Sequence, residues 1–303
     1  MDNILVLLST YNGEKYIEEQ LDSILAQENC HVDILIRDDG STDGTLDILH
    51  RYCEENANIK LSASSGRNLK PAKSFMQLIN DAAGDYEYYA FADQDDIWLA
   101  DKLYRGIMRL RSSNIIALYC SNAELVDSDG NKLGRLAHRN GLPVDNKSIL
   151  IGCGYMGCTM VMNKSLVEEL KIHPVSRELV MHDYYVSCVC IACGWEVFYE
   201  NKPSMYYRQH GSNTVGVSIS KLAALKNRFS LLSKNCECSI SETALSILEL
   251  YDHIPYDVEY FLRIISDYKN NLYHRVKLAF EDYKLSTFNT TVFMRLLVLF
   301  GKR

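Results

Sequence analysis

The chain has 303 residues, 47% of them hydrophobic, with only 5 Pro and 16 Gly and a formal net charge of -7. That length admits one large domain or a core domain with an appendage, and the composition excludes a disordered chain. The acidic balance excludes a reader of the nucleic-acid backbone, which needs a basic field, but small anionic ligands remain open where a cation is recruited locally.

Residues 3–9, NILVLLS, form an unbroken apolar run, the pattern of a parallel strand covered on both faces. After the break TYNG, Ile17, Leu21, Ile24 and Leu25 recur at helical spacing. The unit repeats: VDILIRDDGSTDGT leads from a strand into a helix with Leu46, Leu49 and Cys53 on its apolar face and Thr42 or Asp43 as cap. A short strand, IKLSAS, is followed by a helix with Pro71 in its first turn and Ala72, Phe75, Met76 and Ile79 on one face. Residues 88–92, YYAFA, form another buried strand, and they run straight into Asp93, Gln94, Asp95 and Asp96. Alternating units of this length imply an α/β fold, an open, mostly parallel sheet with helices on both faces. In such sheets ligands bind beyond the carboxyl ends of the strands, and here those ends read STYNG, RDDGSTDG and ADQDD.

From Ile115 the pattern changes to a longer strand and a hairpin about the Asp129-Gly130 turn, then a strand and a helix capped at Asn163. HDYYVSCVCIACG reads as a buried helix, MYYR as a strand entering a Gly-containing loop, and beyond Ser218 only helical patterns appear, among them residues 220–232 and 260–280. The expected division is therefore 1–217 for the α/β domain and 218–303 for a helical appendage. The 10 Cys are scattered or lie inside apolar patterns. Cys188, Cys190 and Cys193 lack the second CxxC pair of a zinc site and read as buried helix cysteines, as do Cys236 and Cys238, in a reducing cytosolic setting. No basic leader or bilayer-length apolar run is visible. The tail TTVFMRLLVLFGKR, with Arg295, Lys302 and Arg303, reads as a packed terminal helix or as a face lying on an anionic membrane surface.

Four segments carry candidate chemistry. On a strand, residues i and i+2 point to one side, so Asp93 and Asp95 address one point, where two carboxylates share a proton or hold a divalent cation. Magnesium and manganese favour few carboxylates plus phosphate oxygens and water, which suits a nucleoside diphosphate. Asp96 is expected to point away and anchor the IWLADKL segment. Asp38 and Asp39 end a strand, where a carboxylate accepts a uracil or thymine imide N–H or, alternatively, simply shapes a βα loop. Asp183 begins a helix, held ionised by the dipole as a base or serving as a plain cap. Arg208 and His210 precede Gly211 and suit a phosphate or a metal shell.

The motifs LSTYNGEKYIEEQLDSIL, IRDDGSTDGT, FADQDDIWLADKL, GCGYMGCTMVM, HDYYV and YRQHGSNTVG stand in the order seen in family-two glycosyltransferases. Over roughly residues 3–216 the chain resembles these inverting enzymes of the GT-A fold, with a Rossmann-like nucleotide-binding half, and FADQDDIW and HDYY are closest to bacterial rhamnosyltransferase-like polysaccharide transferases. The resemblance implies that Thr10, Tyr11, Asn12 and Glu14 line the nucleotide pocket, with Asp39 on the base and Asp38 nearby. It implies Asp93 facing sugar or ribose, Asp95 as the principal ligand of Mn2+ or Mg2+, His210 reaching metal or diphosphate, Lys73 near the donor, and Asp183 deprotonating the acceptor hydroxyl. The family's usual Glu-Asp is here His182-Asp183, which keeps the base and leaves a second carboxylate without a counterpart. Implied partners are a nucleotide-sugar donor, dTDP-rhamnose or a UDP-hexose, and a lipid-linked or surface glycan acceptor, at the inner face of the membrane; a second copy of the chain is a further partner to consider. An Asp-nucleophile phosphatase would continue its first-strand D-x-D with Thr or Val. A non-catalytic nucleotide or carbohydrate module would keep Asp39 and Asp95 without needing Asp183.

Overall fold

The computed structural model describes residues 1–139, 141–142, 145–152, 154–211, 239–285 and 288–301. The pattern at 220–232, Cys236 and Cys238, the loop after Gly211, and Lys302 and Arg303 of the tail lie outside the described residues. The chain forms two compact units, the first comprising Met1–Arg139, Tyr155–Pro174 and Trp195–His210, the second the described parts of Asn140–Gly154, Val175–Gly194 and Gly211–Arg303.

In the first unit β1 (Asp2–Thr10), α1 (Ile17–Leu25), β2 (Cys30–Asp38), α2 (Thr45–Glu55), β3 (Ile59–Leu61), α3 (Lys70–Asp81) and β4 (Tyr88–Ala92) alternate as the periodicity predicts. Then come β5 (Ile97–Trp98), α4 (Lys102–Leu110), β6 (Ala117–Val126), β7 (Lys132–Leu136), β8 (Val161–Asn163), α6 (Lys164–Ile172) and β9 (Glu196–Arg208). The sheet runs β3-β2-β1-β4-β8-β6-β9-β5, with β7 on β6. It is mixed but mostly parallel: β1 pairs in parallel with β2 and β4, β2 with β3 and β6 with β9, and the antiparallel registers are short.

The central strand shows why the apolar run is needed. Ile4, Val6 and Leu8 of β1 are fully buried, packed with Ile17, Leu21 and Ile24 of α1 and Leu49 of α2, and Leu7 is fully buried on the opposite face. Burying each such side chain contributes about 1.5–3 kcal/mol. Register then places the site: Thr10 lies opposite Asp38 and Leu8 opposite Ala92, so the loops after β1, β2 and β4 leave the sheet along one edge.

Several local expectations shift. Helix α2 starts at a Gly44 cap, and Asp43, one residue earlier, takes the Thr45 N–H at 3.1 Å. Asn163 caps α6 as expected, accepting from the Leu166 N–H. Strand β9 extends far upstream of MYYR, because its irregular pairing with β6 accommodates Pro203 opposite Asn122. The second unit contains α5 (Asn146–Ile151), α7 (His182–Ala192) and the helices Ile240–Leu250, Tyr256–Asp267, Leu272–Phe280 and Phe288–Leu299. The helical pattern at 260–280 is thus two helices, the second capped by Asn271, which accepts from the His274 N–H.

One core residue contradicts its type. Lys102, on the face of α4 that also buries Leu103, Gly106, Ile107 and Leu110, is fully buried, with its Nζ 4.3 Å from the Trp98 ring centroid. Among the described residues Nζ has no hydrogen-bond partner, and burial brings its pKa down from 10.5 to about 8. Between pH 8 and 10.5 the unfolded chain binds a proton that the folded chain has released, so this residue makes stability rise with pH across that window. Removing a buried charge in favour of an apolar group of similar volume is neutral or stabilising. Lys102→Met is expected to unfold at equal or higher urea concentration at pH 7 and to lack that part of the alkaline gain. A gain identical to that of the parent chain would show that the ammonium is not desolvated.

Candidate functional site

The first two βα loops lock together before any ligand is considered. Asn12, at φ +50°, accepts the Thr42 N–H at 2.8 Å and donates its own N–H to Ser41 Oγ at 2.8 Å. Asn is among the few non-glycine residues at home in that left-handed region. Gly13 N donates to Thr45 Oγ1 at 2.8 Å, and Glu14 accepts the Gly44 N–H at 3.0 Å. A Cβ on Gly13 would stand 2.5 Å from Gln94 Oε1, so a larger residue here would displace the Gln94 amide from its hydrogen bonds. Gln94 carries the lock to the acidic loop: its Oε1 accepts from Thr10 Oγ1 and Tyr11 N, each at 2.7 Å, and its Nε2 donates to Tyr11 O at 3.1 Å. Sequence reading passed over Gln94, although its place between two acids of the D-x-D was the available signal. Of the four expected lining residues, Tyr11 is exposed, while Asn12 and Glu14 are engaged in the loop lock.

At the end of β2, Asp38 accepts from Gly40 N at 2.9 Å, Ser41 N at 2.8 Å and the Ser41 hydroxyl. Asp39 is buried, paired with Arg37, and accepts from Leu69 N at 3.0 Å and Lys70 N at 2.8 Å. Both oxygens are therefore engaged, and Asp39 pins the start of α3 instead of presenting an unengaged acceptor to a base. Arg37, also buried, reaches on to Ser74 Oγ at 2.9 Å and Arg67 O at 2.8 Å. Lys73 is half-buried on α3, one turn from this pair.

Strand β4 ends at Ala92, so Asp93 to Asp96 turn through a bend and the i, i+2 relation of a strand does not govern them. Asp95 Oδ2 lies 2.6 Å from His210 Nε2. Asp96, expected to point away, is fully buried and accepts the Arg208 N–H at 3.1 Å. Asp93, Asp96 and Cys158 each bring one ligand atom to within 4.8 Å of the others, a grouping able to hold a divalent cation. Burial first, then the charges of Asp95 and Asp93, push the Asp96 carboxyl well above the usual range. Burial followed by Asp96 and Asp93 pushes the Cys158 thiol up as well. Of the two groupings, the Asp95 carboxylate suits a hard ion that keeps phosphate and water ligands, with the His210 imidazole beside it a borderline donor; a buried thiol is a soft one.

Arg208 was expected to face the donor; it is a brace. Its side chain is only 2% exposed. Nε donates to Asp95 O at 2.8 Å, one terminal nitrogen to Ser128 O at 3.1 Å and the other to the Glu19 carboxylate. The guanidinium lies 4.8 Å from the Tyr16 ring centroid, and the same ring stands 4.8 Å from that of His210. Glu19 and Tyr16, unmarked in the sequence, thus hold Arg208 and His210 in place.

In the second unit, Asp183 is half-buried in the first turn of α7, and its Oδ1 accepts the Tyr184 N–H at 2.7 Å. His182 is buried, and burial drives its pKa down to about 3, so the residue replacing the family's Glu stays neutral. Cys188 and Cys190 are buried within α7, as expected of helix cysteines.

A family model described as Glycosyl transferase family 2 matches residues 5–171. The dTDP-rhamnosyl transferase RfbG of Shigella flexneri is 34% identical over 241 residues, 72% of this chain and 77% of that protein. The UDP-Glc:alpha-D-GlcNAc-diphosphoundecaprenol beta-1,3-glucosyltransferase WfgD of Escherichia coli is 27% identical over 189 residues, 61% of this chain and 69% of that one. Among solved structures, mannosyltransferase PcManGT of Pyrobaculum calidifontis, in complex with GDP-Man and Mn2+, matches with a TM-score of 0.57 at 16% identity, over 98% of this chain and 85% of that one. That likeness is one of fold.

If Arg208 braces the acidic loop, Arg208→Met is expected to destabilise the fold by about 3 kcal/mol or more, since it leaves partners of a buried charge unpaired. Urea unfolding measures this, and a loss well under 1 kcal/mol would reject the brace.

Proposed function

The chain belongs to glycosyl transferase family 2 and acts on a nucleoside diphosphate sugar; on that premise we propose a metal-dependent, inverting transfer of a hexose to a glycan hydroxyl. The observation that carries the reading is the approach of Asp95 and His210 to 2.6 Å at the strand-end rim, braced from behind by Arg208. One carboxylate oxygen and one imidazole nitrogen form a donor set that fits Mn2+ or Mg2+. Such an ion, when bound, supplies positive charge for the departing diphosphate.

The chain's own residues do the rest. Thr10 and Tyr11 border the nucleotide, and the locked loop around Asn12 and Glu14 gives the pocket its shape. Asp38 and Asp39 shape the base end through the backbone groups they hold, Lys73 adds positive charge near the donor, and Asp93 faces the sugar or ribose. Asp183 takes the proton from the acceptor hydroxyl as its oxygen bonds to the anomeric carbon and the bond to the diphosphate breaks with its electron pair. One base and no enzyme nucleophile give inversion. The similarity to RfbG favours dTDP-rhamnose and that to WfgD a UDP-hexose; the printed acceptor of WfgD favours a lipid-linked glycan here.

Calorimetric titration of UDP, dTDP, GDP and ADP with manganese tests the donor site, and Asp95→Ala is expected to abolish metal-dependent binding. Asp183→Asn is expected to keep donor binding and lose about 10²–10⁴-fold in transfer. Undiminished transfer by Asp183→Asn removes the base assignment, and tight ADP binding with none of UDP or dTDP removes the pyrimidine.

The acceptor reading extends to a peripheral membrane contact. No described helix is long and apolar enough to cross a membrane. Yet Leu272, Val276 and Phe280 stand exposed at i, i+4 and i+8 on one helix, and Val292 and Leu296 at i and i+4 on the next, with Phe300 exposed just past its end, the stripe of a helix lying in an interface. Flotation with anionic vesicles should lose the chain when Leu272 and Phe280 are both changed to Ser, and equal binding of the two proteins rejects this surface.

A further inference from the structure

The second unit contains a cavity of about 440 Å³ that shares no residue with the donor site. Its volume lies within the roughly 300–1,000 Å³ of small-molecule sites. Three segments distant in sequence build it: α5, the start of the helix Tyr256–Asp267, and the turn at 282–284. The floor is apolar, made of Leu150, Val258, Phe261 and Tyr283, each buried. The rim is charged and exposed: carboxylates of Asp145, Asp257 and Asp282 interleave with the ammonium groups of Lys147 and Lys284.

The walls are fixed. Lys284 N donates to Ser148 Oγ at 2.8 Å, which ties the turn to α5, and Asp145 caps α5 by accepting the Ser148 N–H at 2.9 Å. Lys147 pairs with Glu281 at 2.5 Å and lies 5.7 Å from the Phe261 ring centroid. On its other side α5 is bonded to α7: Tyr184 Oη donates to Leu150 O at 2.6 Å, and the Cys188 thiol donates to Ile149 O at 3.9 Å. Tyr184 follows Asp183 directly, so the cavity wall and the helix carrying the proposed base are held together.

The lining selects a class of ligand. Three carboxylates repel phosphates and other anions, two ammonium groups repel a bare cation, and a charged rim disfavours a purely apolar molecule. A pyranose satisfies both parts: each hydroxyl donates to a carboxylate and accepts from an ammonium, while the C–H face of the ring covers the apolar floor. We propose that this cavity is a subsite for a sugar residue of the acceptor glycan, distinct from the residue whose hydroxyl reacts. The assignment rests on the transferase reading and names where part of its acceptor is held.

Saturation-transfer NMR with methyl α-rhamnopyranoside, methyl β-glucopyranoside and N-acetylglucosamine as probes, each at millimolar concentration, tests it on the full chain. At least one probe is expected to receive saturation from the parent protein and from Asp95→Ala. Its affinity is expected to fall about tenfold or more in a variant carrying Asp257→Ala and Asp282→Ala. Both changes are at exposed positions, and manganese-dependent nucleotide binding by that variant confirms its fold. No saturation of any probe by the parent, or equal affinity in the double variant, overturns the subsite. Failure of the transferase reading shows itself separately, as absence of nucleotide binding by the parent chain.

Discussion

Three carboxylates within four residues at the mouth of a buried strand need a loop held on a fixed course, and Arg208 is the residue that holds it. At 4 Å two like charges repel by about 4 kcal/mol at an effective dielectric of 20. The Arg208 backbone N–H lies on Asp96, its Nε on the Asp95 carbonyl, and its other donors on Ser128 and Glu19. One residue thus fixes the course of the acidic loop through its backbone N–H and Nε, while its own charge is paired with Glu19. Delivering it there dictates the length of β9, whose register with β6 sets Arg208 level with Val126 and whose pairing with β5 sets Tyr206 against Ile97. The acidic loop is held at both ends, by β4 behind and by β5 zipped to β9 ahead.

A second layer of constraint runs from side chains to backbone. Gln94, Asn12 and Glu14 spend their hydrogen-bonding capacity on backbone groups of neighbouring loops. Loops that carry function must be rigid where they meet ligand, yet they have no sheet ladder to stiffen them. Side-chain amides and carboxylates replace the ladder here. The Arg37–Asp39 pair does the same for the turn into α3, and its burial makes it a poor source of stability but an effective fixed strut.

Much of this was legible in the sequence because its signals are local. The unbroken apolar run of β1, the period of α1, Pro71 at the start of α3 and Asn163 as a cap each follow from one short window. The sudden passage from YYAFA to DQDD located the acidic loop. What escaped depends on non-local partners. No window reveals whether a guanidinium faces a ligand or a carbonyl, so Arg208 was read as a donor contact. A continuing strand would turn Asp96 away from Asp93, and a local window leaves Asp39 an open acceptor because Leu69 and Lys70 lie about thirty residues on. Lys102 escaped for the opposite reason: in an amphipathic helix a lysine is ordinarily the solvent side. The interruption of the pattern at 260–280 is marked only by Asn271, whose capping role needs the turn to be seen.

The acids form a gradient of burial that separates their duties. Asp96 is fully enclosed, Asp95 is 9% exposed and Asp93 is half-buried. Burial, then the charges of Asp95 and Asp93, push the Asp96 carboxyl well above the usual range, and its one bonded oxygen holds the Arg208 backbone N–H. Asp95, one residue earlier, turns its carbonyl back to Arg208 and its carboxylate forward to His210. A single residue therefore joins the brace to His210, so that a displacement of Arg208 moves the Asp95 carboxylate with it. This coupling makes D-x-D an incomplete description of the site in this chain. The unit that holds its geometry is Asp95, Asp96, Arg208 and His210 together, with Tyr16 and Glu19 behind them.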